Sequence, residues 1–395
     1  IAITSQVKIG GATYVGLGAG IGDAEVWKWN GSSWTMIGGG NPAINSSWPA
    51  NTYENVHSLA TDGTNLYAGL GDGVTEGEVW KWNGTTWSQI GGDSLNGSWA
   101  PNIGYTINSL EYFGGKLYAG VGYARAEVWV FDGSSWTRLG AQNFNGAWTV
   151  ATQYVLSMTN DGTNLYVGLG AAASRGEVWR WNGTSWTQIG GGVGMNGSWG
   201  NTIESVRELQ YMNGKLYAGT GDTAGDAHVW EYNGASWTRI GGDGLNGSWP
   251  ASTYEYVFSL ATDGTNIYAG LGSGTGDAEV WTWNGSSWSK IGGDGLNGSW
   301  PTTQGYIVRT LMFDGGNLYA GVQNSAGDGM YYKWDGSSWT MLGGKLINGS
   351  WGYNGLASVD VMQVQGEYLY AGTGRAIDGN ATVYRYDGNE WKLIG

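Results

Sequence analysis

The chain has no cysteine, only two histidines (His57 and His228), five prolines and few charged side chains for its 395 residues. Absence of cysteine excludes disulfides, thiol catalysis and cysteine-ligated zinc or iron–sulfur centres. Two histidines leave little for a nucleophilic triad or a histidine-rich metal site. No apolar run approaches the roughly 20 residues a membrane-spanning helix needs, so membrane insertion is not expected. Basic residues number 18 against 32 acidic, for a net charge of −14, with no basic tract. That balance argues against nucleic acid and anionic membranes as partners. What the chain does have is 75 glycines, 26 tryptophans and 24 tyrosines, a composition of turns and flat aromatic surface. The glycines do not recur every third residue, which excludes collagen. A hydrophobic content of 41% excludes a disordered polar chain. A start at Ile1 rather than Met is expected of a processed product, and an extracellular or cell-surface location is the expectation.

Internal repetition organises the sequence. Asn65-Leu-Tyr-Ala-Gly-Leu70 recurs with its tyrosine at positions 14, 67, 118, 166, 217, 268, 319 and 370. A second block, Glu78-Val-Trp-Lys-Trp-Asn-Gly-Thr-Thr-Trp87, follows each copy and ends at Trp34, Trp87, Trp136, Trp186, Trp237, Trp288, Trp339 or Trp391. Each unit reads as four short strands. Strand A resembles Val56–Thr61, strand B 65–70, strand C Glu78–Trp82 and strand D 87–90. Asp62-Gly63 turns A into B. Asn83-Gly84 turns C into D, where Asn-Gly suits the positive φ angles of a type I′ turn. No segment sustains a 3.6-residue apolar period.

Four antiparallel strands in about 50 residues is the size of a propeller blade. The expectation is therefore an all-β chain forming one domain over 1–395, an eight-bladed β-propeller. Its blades lie near 1–39, 54–92, 105–140, 154–191, 204–242, 255–293, 306–344 and 357–395. The chain begins in an A strand and ends in a D strand, so closure without a shared strand is expected. Trp29-Asn-Gly-Ser-Ser-Trp34 and Trp334-Asp-Gly-Ser-Ser-Trp339, each followed by Ile-Gly or Leu-Gly, resemble the blades of secreted bacterial β-propellers. More distantly they resemble kelch, tectonin and Asp-box propellers. The Asn or Asp sits directly before the glycine, without the intervening residue of the Asp-box, so no sialidase residues are carried over. Such folds host lectins, hydrolases and scaffolds alike.

Strand alternation sorts the connections. The A–B and C–D turns lie at one edge of each sheet and are short and uniform. The B–C loops and D-to-A linkers lie at the other and are longer, so that face is the expected site of function. The linkers carry a repeated tryptophan: Trp48, Trp99, Trp148, Trp199, Trp249, Trp300 and Trp351. Each reads either as an indole plugging the groove between units or as a platform for a sugar ring. Glu25, Glu78, Glu127, Glu177 and Glu279 open strand C beside them, with His228, Met330 and Thr382 in the other three complete copies. They read as acceptors for sugar hydroxyls or for loop amides. Arg125, Arg175 and Arg375 in the B–C loops are candidate anion contacts. Asp222 and Asp226 are candidate Ca²⁺ ligands, though no run reproduces a calcium loop; no other cofactor or metal is expected. Asn30, Asn45, Asn83, Asn96, Asn182, Asn196, Asn246, Asn284, Asn297, Asn348 and Asn380 stand in Asn-X-Ser/Thr triplets, acceptors in a glycosylating secretory route.

Catalysis finds little support, because no acid departs from the repeat in a way that marks a catalytic pair. His57 on an A strand near the central channel is a candidate, though a lone strand histidine is more often structural, and His228, which takes the place of the repeated Glu, has no evident partner. The leading expectation is an extracellular, non-enzymatic, multivalent glycan-binding module using the linker tryptophans and strand-C glutamates. The second is a structural or adhesive surface domain that engages protein partners or self-assembles. The third is a polysaccharide-active enzyme, a glycosidase or lyase.

Overall fold

The structure is a computed structural model of the chain. It describes all residues except 1, 19–23, 31–33, 41, 50–52, 54, 72–76, 101–104, 124, 150–153, 171–175, 193, 201–202, 204, 222–224, 226, 252, 273–276, 302–304, 324–328, 345, 351–357, 366–367, 375–381 and 394–395. Two compact units emerge, one of residues 3–195 with 199–205, the other of 196–198 with 206–395.

Both units are built from repeated four-stranded antiparallel sheets. In the first unit, one sheet consists of strands Asn55–Thr61, Leu66–Gly71, Glu78–Trp82 and Trp87–Gly91, paired in chain order. The same order recurs over 2–38, 105–140 and 154–190. In the second unit, Tyr256–Thr262, Ile267–Gly272, Glu279–Trp283 and Trp288–Gly292 form the corresponding sheet, and the order recurs over 206–241, 307–343 and 358–393. These four strands are the A, B, C and D strands read from the sequence. Seven of the A–B pairs carry a bulge, as between Val56 and Ser58 and between Val257 and Ser259. Neighbouring sheets touch through single bridges, Gly18 to Asn55 in the first unit and Gly272 to Ile307 in the second.

The turns obey local chemistry. Asp62 Oδ1 accepts the amides of Thr64 and Asn65, while Oδ2 accepts Asn65 Nδ2 and the Tyr67 hydroxyl. Asp161 and Asp263 repeat the pattern. Burial alone would raise the pKa of Asp62, but these hydrogen bonds outweigh it and hold the carboxyl below its ordinary value. The C–D turn corrects the type I′ expectation. Only Gly84 has positive φ, at 101°, while Asn83 stands one place earlier and accepts the amides of Thr85 and Thr86. A positive φ at the first central residue alone is the type II′ pattern.

Sheets pack face to face within each unit through small residues. A Cβ on Gly69 would meet Ile107 and Ser58 at 2.6 Å, so this glycine of strand B admits the next A strand. A Cβ on Gly91 would strike the Trp136 indole at 2.7 Å. The core between sheets is aromatic and β-branched, typified by Val79, Trp99, Ile107, Ala119 and Trp136.

Candidate functional site

The linker tryptophans lie inside the protein. Trp48, Trp99, Trp148, Trp199, Trp249 and Trp300 are 0–3% exposed, and Trp351 lies outside the described residues. Trp48, Trp99, Trp148, Trp249 and Trp300 each fit edge-on against two aromatics; Trp99, for example, meets Trp129 and Trp136 with ring centroids 5.6 and 5.4 Å away. Five of the six donate Nε1 to the carbonyl just before strand C: Trp48 to Ala24, Trp99 to Gly77, Trp199 to Gly176, Trp249 to Ala227 and Trp300 to Ala278. The sugar-platform alternative is thereby corrected for these six: no ring face is open to a ligand.

The linker asparagine completes the plug. Asn96, Asn246, Asn297 and Asn348 sit at φ of 53–54° and donate Nδ2 to the carbonyl of the last apolar residue of strand D. The same carbonyl accepts the indole of the following sheet, as Ile90 accepts Trp136 at 2.7 Å. Asn45 pairs likewise with Ile37. The serine before the tryptophan closes the loop, Ser98 Oγ accepting the Gly92 amide and donating to its carbonyl. The motif Leu-Asn-Gly-Ser-Trp is thus a folding device in which the serine and tryptophan are buried and the exposed asparagine is tied to the strand by its amide. Its first residue points out. Leu95, Phe144, Met195, Leu296 and Ile347 are 36–39% exposed, a recurring apolar tip that sequence reading passed over in favour of the tryptophan.

The strand-C glutamates are also enclosed. Glu78, Glu127, Glu177 and Glu279 are buried and Glu25 is half-buried. Each Oε2 accepts the indole N–H two residues on, from Trp27, Trp80, Trp129, Trp179 or Trp281, at 2.6–2.8 Å. Desolvation pushes Glu78 up to about 7, against hydrogen bonds from Tyr53 and Trp80 that lower it, with Asp93 nearby adding to the rise. As ligands for sugar hydroxyls these carboxylates are corrected too, since their acceptor oxygens are engaged within the protein. The signal was present in the sequence. Copies seven and eight, with Met330 and Thr382 in place of Glu, carry Tyr332 and Tyr384 in place of the partner tryptophan. His228 takes the Glu position in the fifth copy and lies 3.1 Å from Asp243 Oδ2, which Arg239 also contacts at 2.7 Å. His57 is held below its usual pKa by burial, partly offset by its hydrogen bond with the Gly71 backbone; its Nε2 has no partner among the described residues.

Of the three loop arginines, Arg125 is exposed beside a cavity of about 220 Å³, whereas Arg175 and Arg375 lie outside the described residues. So do Asp222, Asp226 and Asn380. Among the described residues no group of three or more His, Asp or Glu side chains is placed to hold a metal ion. The remaining triplet asparagines, Asn30, Asn45, Asn83, Asn96, Asn182, Asn196, Asn246, Asn284, Asn297 and Asn348, are exposed.

The larger concavity lies at the opposite edge, among the turns. A cavity of about 360 Å³ in the second unit is lined by Asp314, Tyr319, Lys333, Tyr368 and Tyr386, with Leu342, Val364 and Leu369 among its apolar contacts. Tyr67 stacks on Tyr112 at 5.9 Å and Tyr268 on Phe313 at 6.0 Å, in each case a B-strand tyrosine covered by an aromatic of the next A strand. Opposite Tyr319 that place is held by Val364, as it is by the non-aromatic Thr61, Asn160 and Thr262 in other repeats, and Val364 lines the cavity. Arg385 stacks on the Tyr368 ring with its guanidinium carbon 4.6 Å from the centroid, steadying one wall. Tyr319 is kept protonated well past neutrality by burial and by the Asp314 charge. The groove thus offers phenol donors, one carboxylate acceptor, one ammonium donor and apolar ring surface.

No protein-family model and no curated protein sequence matches the chain. Solved structures do. The chain is similar to Sqt1 of Saccharomyces cerevisiae at 14% identity and a TM-score of 0.61, covering 98% of this chain and 96% of that one. It is similar to BamB of Moraxella catarrhalis at 12% identity and a TM-score of 0.56, covering 98% of each. A computationally designed protein, Ika8, matches at 15% identity and a TM-score of 0.54 over 86% of each chain. The neighbours are β-propellers. The fold is of β-propeller type. Identities this low extend to the fold alone.

Proposed function

We propose that this β-propeller is an extracellular or cell-surface, non-enzymatic module that binds neutral glycans in the tyrosine-lined groove of its seventh and eighth repeats. In this reading the eight sequence repeats are eight blades closed without a shared strand. The local pairing of the first strand, 2–9 with 12–18, and of the last sheet, 358–393, supports it. The chain would belong with the secreted bacterial propellers that carry Trp-Asn/Asp-Gly-x-x-Trp blades.

The observation that carries the glycan reading is the groove itself. Sugars present apolar C–H faces and many hydroxyls, and they require flat ring surface flanked by both donors and acceptors. Tyr368 and Tyr386 supply half-buried ring surface; Asp314 and Lys333 supply an acceptor and a donor at the same wall. The multivalent site expected on the linker face loses its tryptophans to the core, so recognition moves to the turn face and to one principal groove. A glycan array followed by calorimetry on the best neutral oligosaccharide tests this. Tyr368→Ala and Lys333→Ala should each weaken binding about tenfold while the fold stays intact by circular dichroism. Absence of any glycan ligand, or unchanged affinity in both variants, overturns it.

A specific observation also favours the second reading, a domain that engages protein partners. The recurring exposed tips Leu95, Phe144, Met195, Leu296 and Ile347 present one apolar contact per linker, and such repetition suits avidity toward a repetitive protein surface. Self-association that disappears when Leu95 and Met195 become serine would support it.

A further inference from the structure

We infer that the cavity beside Arg125 in the third repeat is a second site, built for the carboxylate of an acidic sugar residue. The argument is a comparison of one structural position across repeats. In the sixth repeat Lys290 of strand D faces two acids, Glu279 of strand C and Asp294 of the linker. In the fifth repeat Arg239 is bound by the linker acid Asp243 at 2.7 Å. The third repeat keeps the cation, Arg138, but its linker has Gln142 where Asp243 and Asp294 stand. Arg138 therefore meets only Glu127, at 3.4 Å, and that glutamate is simultaneously held by Trp129 at 2.8 Å. Arg125, exposed in the adjoining loop, adds a second positive charge. Counting these side chains, the third repeat has two cations against one acid, whereas the sixth has one cation against two. The local charge is inverted in a chain whose net charge is −14.

The linker keeps the backbone pattern of the others but changes its side chains around this cavity. Ala147 replaces the loop-closing serine and Ala141 the glycine it clasps, while Phe144 N–H donates to the Ala141 carbonyl as Leu95 does to Gly92. Phe144 lies under the Arg138 guanidinium at 4.1 Å and fixes its plane. The resulting cavity of about 220 Å³ is lined by Arg125, Glu127, Arg138, Gln142, Asn143 and Phe144. One excess positive charge suits a monoanion. A dianionic phosphate monoester would carry more charge than the two arginines offset beside the buried Glu127. A planar carboxylate matches guanidinium donors, and the amides of Gln142 and Asn143 suit hydroxyls on the ring that bears it. The assignment rests on the saccharide reading only for that ring; the charge inversion is independent of the tyrosine groove.

The test titrates the full-length protein with a trigalacturonate, its methyl ester and a neutral trisaccharide, using calorimetry at low and at physiological salt. Two variants remove charge with little risk to the fold. Gln142→Asp restores the acid found in the fifth and sixth repeats, and Arg138→Gln installs the residue that Gln89 and Gln188 occupy beside intact Glu–Trp pairs. The expected result is that trigalacturonate binds about tenfold more tightly than its ester and that each variant removes this preference. Tyr368→Ala should leave that preference in place. Equal binding of acid and ester, or a preference that survives Gln142→Asp, overturns the inference. A preference abolished by Tyr368→Ala alone assigns the carboxylate to the groove and overturns it as well. Loss of neutral-sugar binding in Tyr368→Ala, with the acid preference kept, supports both sites separately.

Discussion

Replacing a linker tryptophan distinguishes a core plug from a ligand platform, and adjacent linkers of the first unit supply a built-in control. Trp99 and Trp148 are 3% and 0% exposed, and each meets two tryptophans edge-on. They differ in one respect. Trp99 Nε1 donates to the Gly77 carbonyl at 2.6 Å, whereas Trp148 Nε1 has no hydrogen-bond partner among the described residues. Truncating a buried tryptophan to alanine costs about 3–5 kcal/mol through lost burial and the cavity left behind. Both Trp99→Ala and Trp148→Ala should therefore destabilise by roughly that amount. Phenylalanine keeps most of the ring and removes the N–H. Its packing penalty is similar at the two sites, but at Trp99 it also strands a carbonyl, a further cost of about 1–2 kcal/mol. Urea unfolding followed by tryptophan fluorescence gives the four free-energy differences. Trp99→Phe should exceed Trp148→Phe by about 1 kcal/mol or more. Equal costs would refute the hydrogen-bond reasoning. A Trp99→Ala penalty below about 1 kcal/mol would refute burial itself and return the indole to the surface.

The other predictions concern turns, buried acids and modification. Asp263→Ala removes the acceptor of four hydrogen bonds and should cost about 1–3 kcal/mol in the same unfolding assay. Because the hydrogen bonds of Asp263 outweigh burial and lower its folded pKa, its contribution is present above the ordinary value of 3.8 and is lost as pH falls through the lower folded value. Glu78 and Glu208 behave oppositely: desolvation raises each to about 7, so their contribution is complete below pH 4.5 and is lost as pH rises through 7. The double change Glu78→Gln with Glu208→Gln should flatten the stability–pH curve between those limits, and an unchanged slope would contradict the burial argument. In a glycosylating host, peptide mapping should find sugar on the turn residues Asn182 and Asn284 in preference to Asn96 and Asn297. The linker amides are committed to the Ile90 and Ile291 carbonyls, whereas the Asn284 amide makes only a 3.4 Å bond to Ser287 within its own exposed turn. Preferential modification of the linker sites would contradict this.

Much of the architecture was legible because the repeat is written in backbone chemistry. Strand C at Glu78–Trp82 appears where the sequence places it, and the other strands differ by a residue at their ends. Asp-Gly and Asn-Gly mark the turns because short polar side chains accept neighbouring amides and glycine tolerates positive φ. The turn subtype was less legible: Asn83 acts through its side chain one place before the loop, which a dipeptide preference does not distinguish. The candidate site was legible only in part. Arg125 was singled out and does line a cavity. The tyrosine groove was missed because Asp314, Tyr319 and Lys333 of one repeat meet Tyr368 and Tyr386 of the next only once the two sheets pack together.

By itself, then, the sequence determined an all-β chain of repeated four-stranded units, with turn chemistry set by residues close along the chain. Tertiary structure alone decided which repeated side chains face water. An indole and a carboxylate that recur from repeat to repeat can serve a ligand or a neighbouring sheet equally well, since periodicity records spacing and says nothing of what lies opposite. Packing one sheet on the next turned Trp99 inward and Leu95 outward. It also joined each glutamate to the tryptophan beside it, and brought side chains of neighbouring repeats together in the tyrosine-lined groove.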